Sequence, residues 1–267
     1  MQRHVNDEWV RAAQEHGYRS RAAWKLCQID DRHKVLGRGV RAVLDLGAAP
    51  GSWTQVLVER VNSPRLVVGV DLLPVEPFSA SLLRRAGSGQ SSAADAVKMI
   101  EGDFTTAQTR RHIETSVREW RRGSCAGFDA VVSDMVPSIT GDHVADHYSS
   151  VRLCRLIMEF LRLETRRADP RRASRDGRGG DSRSGGVGSV GTGRSERASG
   201  RGVGRPDGPA APMLVRGGSL TMKVLQGRDL DEFIAELREE FGEVRVFKPK
   251  ASRPASREVY VVAKKAH

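Results

Sequence analysis

The stretch VLDLGAAPGSW, residues 43–53, decides the fold class of this chain. It passes from a short aliphatic run, through a turn that contains Gly47, Pro50 and Gly51, into a segment with apolar residues at helical spacing. The glycines permit a tight turn and a close backbone approach, and the helix that follows has free N–H groups at its start. A strand, a glycine turn and a helix in this order are typical of a nucleotide-binding crossover in an α/β sheet.

The same alternation of strand and helix continues along the chain. Runs rich in β-branched residues occupy residues 41–47, 65–72, 97–103, 128–135, 218–225, 243–250 and 258–265, and helical patterns separate most of them. This rhythm predicts an α/β fold with a mainly parallel sheet and helices on both faces. Only a turn region separates the last two runs, so we expect the final strand to pair antiparallel.

The composition changes between residues 166 and 212. This stretch holds 11 Arg, 12 Gly and 5 acidic residues and no aromatic residue. Such a segment cannot bury enough apolar surface to offset its ordering entropy, so we expect a disordered insertion there. The folded part would then be one domain made of residues 41–165 and 213–267, with a helical, RNA-contacting segment at residues 1–40.

The net charge favours a polyanionic partner. The chain has 267 residues and a formal net charge of +11, a balance that places nucleic acid first among candidate partners. No apolar run approaches the ~18 residues that a membrane span requires, and the first ten residues lack the apolar core of a secretory signal. We therefore expect a soluble protein with no membrane partner, whose organelle-targeting leader is absent or already removed.

The cysteines predict neither a disulfide framework nor a metal site. Cys27, Cys125 and Cys154 form no C-x-x-C pair and no Cys/His ligand spacing. We expect three buried free thiols.

Polar groups follow consecutive predicted strands at the edge where ligands bind in open α/β sheets. The glycine turn follows the first strand, Asp71 ends the second and Asp103 ends the third. Each acid alone is ordinary turn chemistry, but together they predict a pocket shaped for adenosine. The spacing G-A-A-P-G differs from the G-x-G-x-x-G of dinucleotide enzymes, and this argues against a nicotinamide-dependent oxidoreductase.

A second set of charged residues includes a lysine in an apolar strand. Lys223 lies within SLTMKVLQG, where burial of an unpaired amine would cost several kcal/mol. Asp134 ends the fourth run, Glu258 opens the last, and Lys25 lies in the amino-terminal stretch. These four residues are either ordinary ion pairs or a catalytic group that the sheet gathers in one crevice.

Two basic segments are candidates for RNA contact. The first mixes cations with Trp9, Tyr18 and Trp24, and the second is the stretch at residues 247–257. Their basic residues suit phosphate contact and the aromatic rings suit base stacking, although Trp9 and Trp24 could instead pack into the domain. The candidate RNA-binding residues are Arg19, Arg21, Lys25, Lys248, Lys250 and Arg253.

Seven segments, in order along the chain, resemble the FtsJ/RrmJ family of S-adenosyl-L-methionine (AdoMet)-dependent ribosomal RNA 2′-O-methyltransferases. They are YRSRAAWKL, VLDLGAAPGSW, GVDLLP, GDF, SDMVPSITG, GGSLTMKVLQG and KPKASRPASREVYVVA. The likeness runs from about His4 to Lys264 and is broken mainly by residues 166–212 and by extra residues around 79–95. It implies a Rossmann-like class I methyltransferase fold with seven strands, the last antiparallel.

The resemblance also implies roles for individual residues. It matches Gly51, Trp53, Asp71, Asp103 and Asp134 to the AdoMet-contacting positions, to which we add Gly47 of the glycine turn. Lys25, Asp134, Lys223 and Glu258 match the catalytic Lys-Asp-Lys-Glu set, with Lys223 as the proton acceptor. The family often has Gly-Gly before the tryptophan, where this chain has Gly51 and Ser52.

The expected function is AdoMet-dependent methylation of the ribose 2′-hydroxyl of a uridine in large-subunit ribosomal RNA, coupled to ribosome assembly. The expected partners are that RNA and the assembling ribosomal particle, and the free protein is expected to be monomeric. Alternatives are methylation of tRNA and a non-enzymatic assembly factor that holds immature ribosomal RNA. A lone catalytic domain resembles mitochondrial members of the family, so we expect a mitochondrial location, with cytoplasm and nucleolus as alternatives.

Overall fold

The structure is a computed structural model that describes residues 7–62, 65–86, 96–122, 127–162 and 213–267. Most of the extra residues around 79–95, Cys125 and the predicted insertion at residues 166–212 lie outside the described residues, so those expectations stay predictions. Cys27 and Cys154 are buried free thiols, as predicted.

Seven strands form one sheet with the spatial order β3-β2-β1-β4-β5-β7-β6. Strands β1 to β5 pair in parallel, whereas β7 is antiparallel to both of its neighbours, β5 and β6. The prediction of a mainly parallel seven-stranded sheet with an antiparallel last strand is confirmed. The strands are β1 (Ala42–Leu46), β2 (Leu66–Asp71), β3 (Val97–Glu101), β4 (Phe128–Ser133), β5 (Leu214–Leu225), β6 (Phe241–Phe247) and β7 (Glu258–Ala266).

Strand β5 begins earlier than its sequence pattern predicted. The pattern placed its start at residue 218, but Leu214 already pairs with Phe128 of β4. The next pair is Ala130 with Ser219, so residues 215–218 bulge out of the ladder. The residues VRGG show no strand periodicity and have a weak β-propensity, so the sequence did not predict a strand there. The pairing of Leu214 with β4 extends the strand across them.

Helices cover both faces of the sheet because the central strands are apolar on both sides. Within β1, Leu44 packs into the core on one face and Val43 into the core on the other. The helices are α1 (Glu8–Glu15), α2 (Ala22–His33), α3 (Ser52–Arg60), α4 (Ala80–Ala86), α5 (Ala107–Trp120), α6 (His143–Arg162) and α7 (Leu230–Glu240). Buried side chains of α2 and α3 join one core, and those of α5, α6 and α7 join the other. Within the described ranges, no helix combines the length and the apolar character that crossing a membrane requires.

Candidate active site

The loop between β1 and α3 lies at the edge where the parallel strands end. Gly47 has φ +77° and Gly51 has φ +102°, which are values that side chains other than glycine rarely adopt. A Cβ atom on Gly47 would lie 2.1 Å from Met135 Cγ, and one on Gly51 would lie 2.6 Å from Arg19 Nη1. Both glycines therefore permit a close approach that a larger residue would block.

The N-terminus of α3 opens onto this loop. Gly51 takes the N-cap position, and no side chain in the described part of the chain caps the helix there. The first amides of a helix lack intrahelical partners, so those of α3 can donate to a ligand.

Asp71, at the end of β2, ties two loops together. Its Oδ2 accepts a hydrogen bond from Ala49 N at 2.9 Å, and its Oδ1 accepts one from Leu73 N at 2.9 Å. A carboxylate can accept about four hydrogen bonds, so Asp71 retains capacity for a ligand hydroxyl.

Asp103, after β3, makes the turn contacts that its position suggested. Its Oδ1 accepts from Thr105 N at 2.9 Å and from Thr105 Oγ1 at 2.7 Å. The side chain shapes the loop and is exposed. A cofactor contact by Asp103 stays a prediction.

Asp45 is a buried carboxyl that our sequence reasoning missed. It lies in the middle of β1 and is 1% exposed. Its Oδ2 accepts from Thr54 Oγ1 at 2.8 Å, whereas its Oδ1 has no hydrogen-bond partner within the described part of the chain. Burial raises the pKa of Asp45 to about 7; the Thr54 hydrogen bond opposes this rise, and the charges of Asp134 and Asp71 add to it. The sequence feature that could have identified Asp45 is an acidic residue within an otherwise apolar strand.

Two ion pairs bring the four predicted catalytic residues together. Lys223 Nζ lies 3.1 Å from Asp134 Oδ1, and Lys25 Nζ lies 2.7 Å from Glu258 Oε1. All four side chains are largely shielded from solvent, with exposures between 9% and 19%. The structure therefore places the four residues in one crevice, although it does not by itself assign their roles.

Tyr260, a second residue that the sequence reasoning missed, links the two ion pairs. Its hydroxyl donates to Asp134 Oδ1 at 2.5 Å, and its ring centroid lies 5.9 Å from Lys25 Nζ. Burial, with the neighbouring Asp134 and Glu258 carboxylates, raises the pKa of Tyr260 well above its ordinary value. Tyr260 therefore keeps its proton and acts as a hydrogen-bond donor. Its signal in the sequence was a polar ring two residues after Glu258 in an otherwise apolar strand.

Glu258 is held in its anionic form. Burial acts to raise the pKa of this carboxyl, but the ion pair with Lys25 and the nearby charge of Lys223 outweigh burial and lower the pKa below its ordinary value. The crevice thus contains a stable carboxylate beside Lys25.

Trp53 packs at the inner side of the crevice. It is 3% exposed, its indole N–H donates to Ala22 O at 2.8 Å, and its ring centroid lies 5.8 Å from that of Tyr260. The tryptophan thereby fixes α2 against α3. Its predicted contact with a cofactor stays a prediction.

Three of the predicted RNA-binding cations already hold protein loops in place. Arg19 donates to Pro50 O, Glu76 O and Pro77 O at 2.6 to 2.7 Å, and it lies over the Phe78 ring at 4.2 Å. Arg19 thus stabilises the glycine loop, and its guanidinium group already donates hydrogen bonds within the protein.

Arg21 and Lys248 also have internal partners. Arg21 pairs with Asp7 and donates to Ala251 O at 2.6 Å, and Lys248 donates to Pro254 O and Ser256 O at 3.1 and 2.6 Å. Together they shape the loop that leads into Glu258. Lys250 and Arg253 in that loop are exposed, and their contact with RNA stays a prediction.

The amino-terminal aromatic residues pack on one another. The ring centroids of Trp9 and Tyr18 lie 6.1 and 5.6 Å from that of Trp24, and the Tyr18 hydroxyl donates to Glu59 Oε2 at 2.7 Å. This is the packing alternative that the sequence left open. Base stacking by these rings is therefore not needed to explain them.

Comparison with known proteins agrees with this geometry. A model of the FtsJ-like methyltransferase family matches residues 18–266. Ribosomal RNA large subunit methyltransferase E of Halorubrum lacusprofundi is 32% identical over 258 residues, which cover 97% of this chain and 70% of the relative. The protein of the same name from Azoarcus sp. is also 32% identical, and the match covers 98% of this chain and 93% of the relative.

A solved structure shares the fold. A protein of Plasmodium falciparum named as a ribosomal RNA methyltransferase superimposes with a TM-score of 0.60 at 21% identity, over 93% of this chain and 98% of that one. The family match extends over the glycine loop, both ion pairs and the antiparallel last strand. The chain therefore belongs to the FtsJ-like methyltransferase family.

Proposed function

We propose that this methyltransferase transfers the methyl group of AdoMet to the ribose 2′-hydroxyl of a uridine in large-subunit ribosomal RNA. The proposal is based on two ion pairs, Lys223 with Asp134 and Lys25 with Glu258. Both lie at the edge of the sheet beside the glycine loop. The choice of ribosomal RNA is supported by the name of the relatives, ribosomal RNA large subunit methyltransferase E.

The residues at the glycine loop fit AdoMet. Its ribose hydroxyls and its cationic groups need acceptors, and carboxylates stand at or near the ends of the central strands, including Asp71 and Asp134. Asp45, which lies close enough to Asp71 and Asp134 to feel their charges, has a buried Oδ1 with no hydrogen-bond partner among the described residues, and the first amides of α3 can donate. When bound, AdoMet supplies a methyl group that is already activated on a sulfonium.

Lys223 is the residue that we propose accepts the proton. The ribose 2′-hydroxyl would lose its proton as it takes the methyl group that AdoMet supplies, with the cofactor's thioether as leaving group, and Lys223 Nζ would accept that proton. Asp134, 3.1 Å from Nζ, then stabilises the resulting ammonium ion.

The remaining residues of the crevice hold these groups in position. Tyr260 orients the Asp134 carboxylate through its 2.5 Å hydrogen bond. Lys25, fixed by Glu258, places a second positive charge at the crevice, where it can contact a phosphate of the target nucleotide. Much of the rate acceleration would come from holding the two reactants in line.

The experiment that tests the proton acceptor is Lys223→Ala. Removal of a positioned base costs about 10²- to 10⁴-fold in rate, so we expect methyl transfer to ribosomal RNA to fall by at least about 100-fold. AdoMet affinity, measured by calorimetry, should stay within a few-fold because Lys223 does not bind the cofactor in this scheme. Lys98→Ala is the matched control. Lys98 is also a strand lysine in an ion pair, but its strand is β3 and its partner is Glu119. Near-normal turnover by the Lys223 variant would refute the assignment.

The target nucleotide and the link to ribosome assembly are tested in cells. Mapping 2′-O-methyl groups in RNA from cells that lack the protein should show one missing uridine methylation in large-subunit ribosomal RNA. Loss from tRNA instead would identify the alternative substrate. Absence of detectable AdoMet binding would favour a non-enzymatic factor that holds immature RNA.

The expected partner, assembly state and compartment are part of the same proposal. Recovery of the protein on an assembling large-subunit particle, and a monomer mass for the free protein in solution, would support the first two. The relatives described above are archaeal and bacterial and give the mitochondrial location no support, so it stays a prediction that microscopy of the tagged protein can test.

A further inference from the structure

A cleft of about 360 Å³ lies at the edge of the sheet opposite the crevice. Its walls come from the segment after α2, the starts of β4 and β5, and the end of β7. Five of the side chains that line it are cations, whereas Asp129 is its one acid among the described residues. The cations are Lys34, Arg38, Arg216, Lys264 and Lys265.

The negative charge of Asp129 is already used inside the protein. Its Oδ1 accepts from Arg121 Nη2 at 2.8 Å, and its Oδ2 accepts from the backbone amides of Arg41 and Ala42, each at 2.8 Å. An acid so engaged cannot neutralise the cations of the cleft as well. The cleft therefore carries an excess of positive charge.

Most of these cations stand free. Arg38, Arg216 and Lys265 are exposed, and none makes a side-chain hydrogen bond or an ion pair with any residue that the structure describes. Lys264 differs, because its Nζ donates to His33 O at 3.0 Å. Lys34 is also exposed and has no side-chain partner among the described residues, so four cations are available to a ligand.

The backbone directs one of these side chains into the cleft. Arg216 lies in the bulge of residues 215–218, which leaves the β4–β5 ladder and re-enters it at Ser219. Bulges of this kind re-aim side chains away from the sheet. The position of Arg216 is therefore set by the fold and not only by a flexible side chain.

The cleft is remote from the reacting groups. Glu258 opens β7 at the crevice and Lys264 lies near its end at the cleft, six residues along the strand. At about 3.4 Å per residue, the two sites are about 20 Å apart. No single nucleotide can occupy both, so a ligand common to both sites must be a polyanion of several nucleotides or more.

We propose that this cleft binds backbone phosphates of the same ribosomal RNA, at a distance from the methylated nucleotide. The proposal rests on the proposed function and extends it, because it adds a second contact with the same RNA about 20 Å from the reacting groups. A charged, open and glycine-walled cleft matches the polar, strongly positive surfaces that bind nucleic acid. We favour RNA over an acidic protein because RNA is the polyanion that the proposed function already requires.

The experiment uses the triple variant R38Q/R216Q/K265Q in the full-length protein. Binding of a large-subunit ribosomal RNA transcript is measured by fluorescence anisotropy over a series of salt concentrations. Each phosphate contact contributes about 0.7 to 0.9 to the slope of log K against log salt, so the slope should fall in magnitude by about 2 and the affinity by at least about tenfold. At saturating RNA the methylation rate should be unchanged, because these side chains do not touch the reacting groups.

The matched control is R111Q/R118Q/R238Q, which removes the same charge from exposed arginines of α5 and α7. We expect its slope and affinity to stay near those of the unmodified protein. The single change Arg216→Gln should lower the slope by about 0.7, and it guards against a folding defect in the triple variant.

The outcomes separate this inference from the proposed function. If the unmodified protein neither binds nor methylates ribosomal RNA, either as a free transcript or in an assembling large-subunit particle, the proposed function fails. If it does both, but the cleft variant behaves like the control variant, the cleft is not an RNA site and the inference alone fails. Tighter binding of polyglutamate than of RNA, lost in the triple variant, would assign the cleft to an acidic protein and overturn the proposal.

Discussion

Asp45 shows how one buried residue can set the response of the whole domain to pH. Its carboxyl is fully buried in β1, Thr54 is its one hydrogen-bond partner in the described ranges, and burial raises its pKa from 3.8 to about 7. A group with a raised folded pKa binds more protons in the folded state than in the unfolded state between those two values. Its contribution to stability is therefore present at low pH and is lost as the pH rises toward 7.

Asp45→Asn tests this sign. The amide keeps the shape of the side chain and can still accept from Thr54, but it never ionises. Relative to the unmodified protein, the variant should gain about 1.4 kcal/mol in free energy of unfolding per pH unit between about pH 4 and 7, with no further gain above that range. Urea unfolding of both proteins from pH 4.5 to 8.5 measures the difference. Parallel stability curves would show that Asp45 is ionised throughout.

At the residue scale, the sequence predicted which candidate catalytic residues meet but not which contacts hold them in place. Asp134 follows β4 and Lys223 lies near the end of the parallel strand β5, so their meeting at one edge follows from the sheet direction. Tyr260 was missed because a tyrosine in a strand usually packs as an aromatic residue. The carbonyl partners of Arg19 could not be predicted either, since a long side chain can reach many backbone groups and only the folded loop selects among them.

At the scale of elements, β7 contributes two residues of the crevice because successive side chains of a strand alternate between faces. Glu258 and Tyr260 are two positions apart and share a face, and Tyr260 lies opposite Lys223 in the antiparallel ladder. The α2 helix packs on the same face and brings Lys25. The reversal of the last strand thus places its first residues, and not its last, beside the ends of β4 and β5.

Tyr260→Phe tests the link between β7 and β4. The change removes the hydroxyl that donates to Asp134 and preserves the ring that packs on Trp53. A hydrogen bond to a charged group contributes about 1.5 to 3 kcal/mol, so we expect a loss of stability of this size in urea unfolding. We also expect kcat to fall with little change in KM for RNA, since Asp134 loses an orienting contact and not a binding one.

Tyr18→Phe is the control, because it removes a hydroxyl that donates a hydrogen bond to Glu59 outside the crevice. Equal kcat in Tyr260→Phe and the unmodified protein would contradict a positioning role.

At the scale of the whole molecule, two separate stretches of chain complete one sheet. Strand β5 follows residues 166–212 in sequence, yet it pairs with β4 and packs under α6. Leu225 N donates to Ser150 Oγ at 3.0 Å, and Cys154 Sγ lies 3.3 Å from Lys223 O. These contacts join the two stretches independently of the segment between them.

The runs of β-branched residues made this sheet predictable from sequence. The bulge at residues 215–218 and the cleft opposite the crevice depend on strand register, which periodicity does not specify.

Replacement of residues 166–212 by a 12-residue Gly/Ser linker tests whether the folded domain needs that segment. Loop-closure entropy changes by about 0.6 kcal/mol for each halving of loop length, so the variant should be as stable as the unmodified protein or more stable by about 1 kcal/mol. AdoMet affinity should be unchanged, whereas affinity for non-specific RNA should fall because the segment carries 11 Arg against 5 acidic residues. A variant in which the same 47 residues are shuffled keeps this composition and should retain the RNA affinity. Unfolding of the linker variant at a lower urea concentration would show that the segment is part of the fold, which its composition argues against.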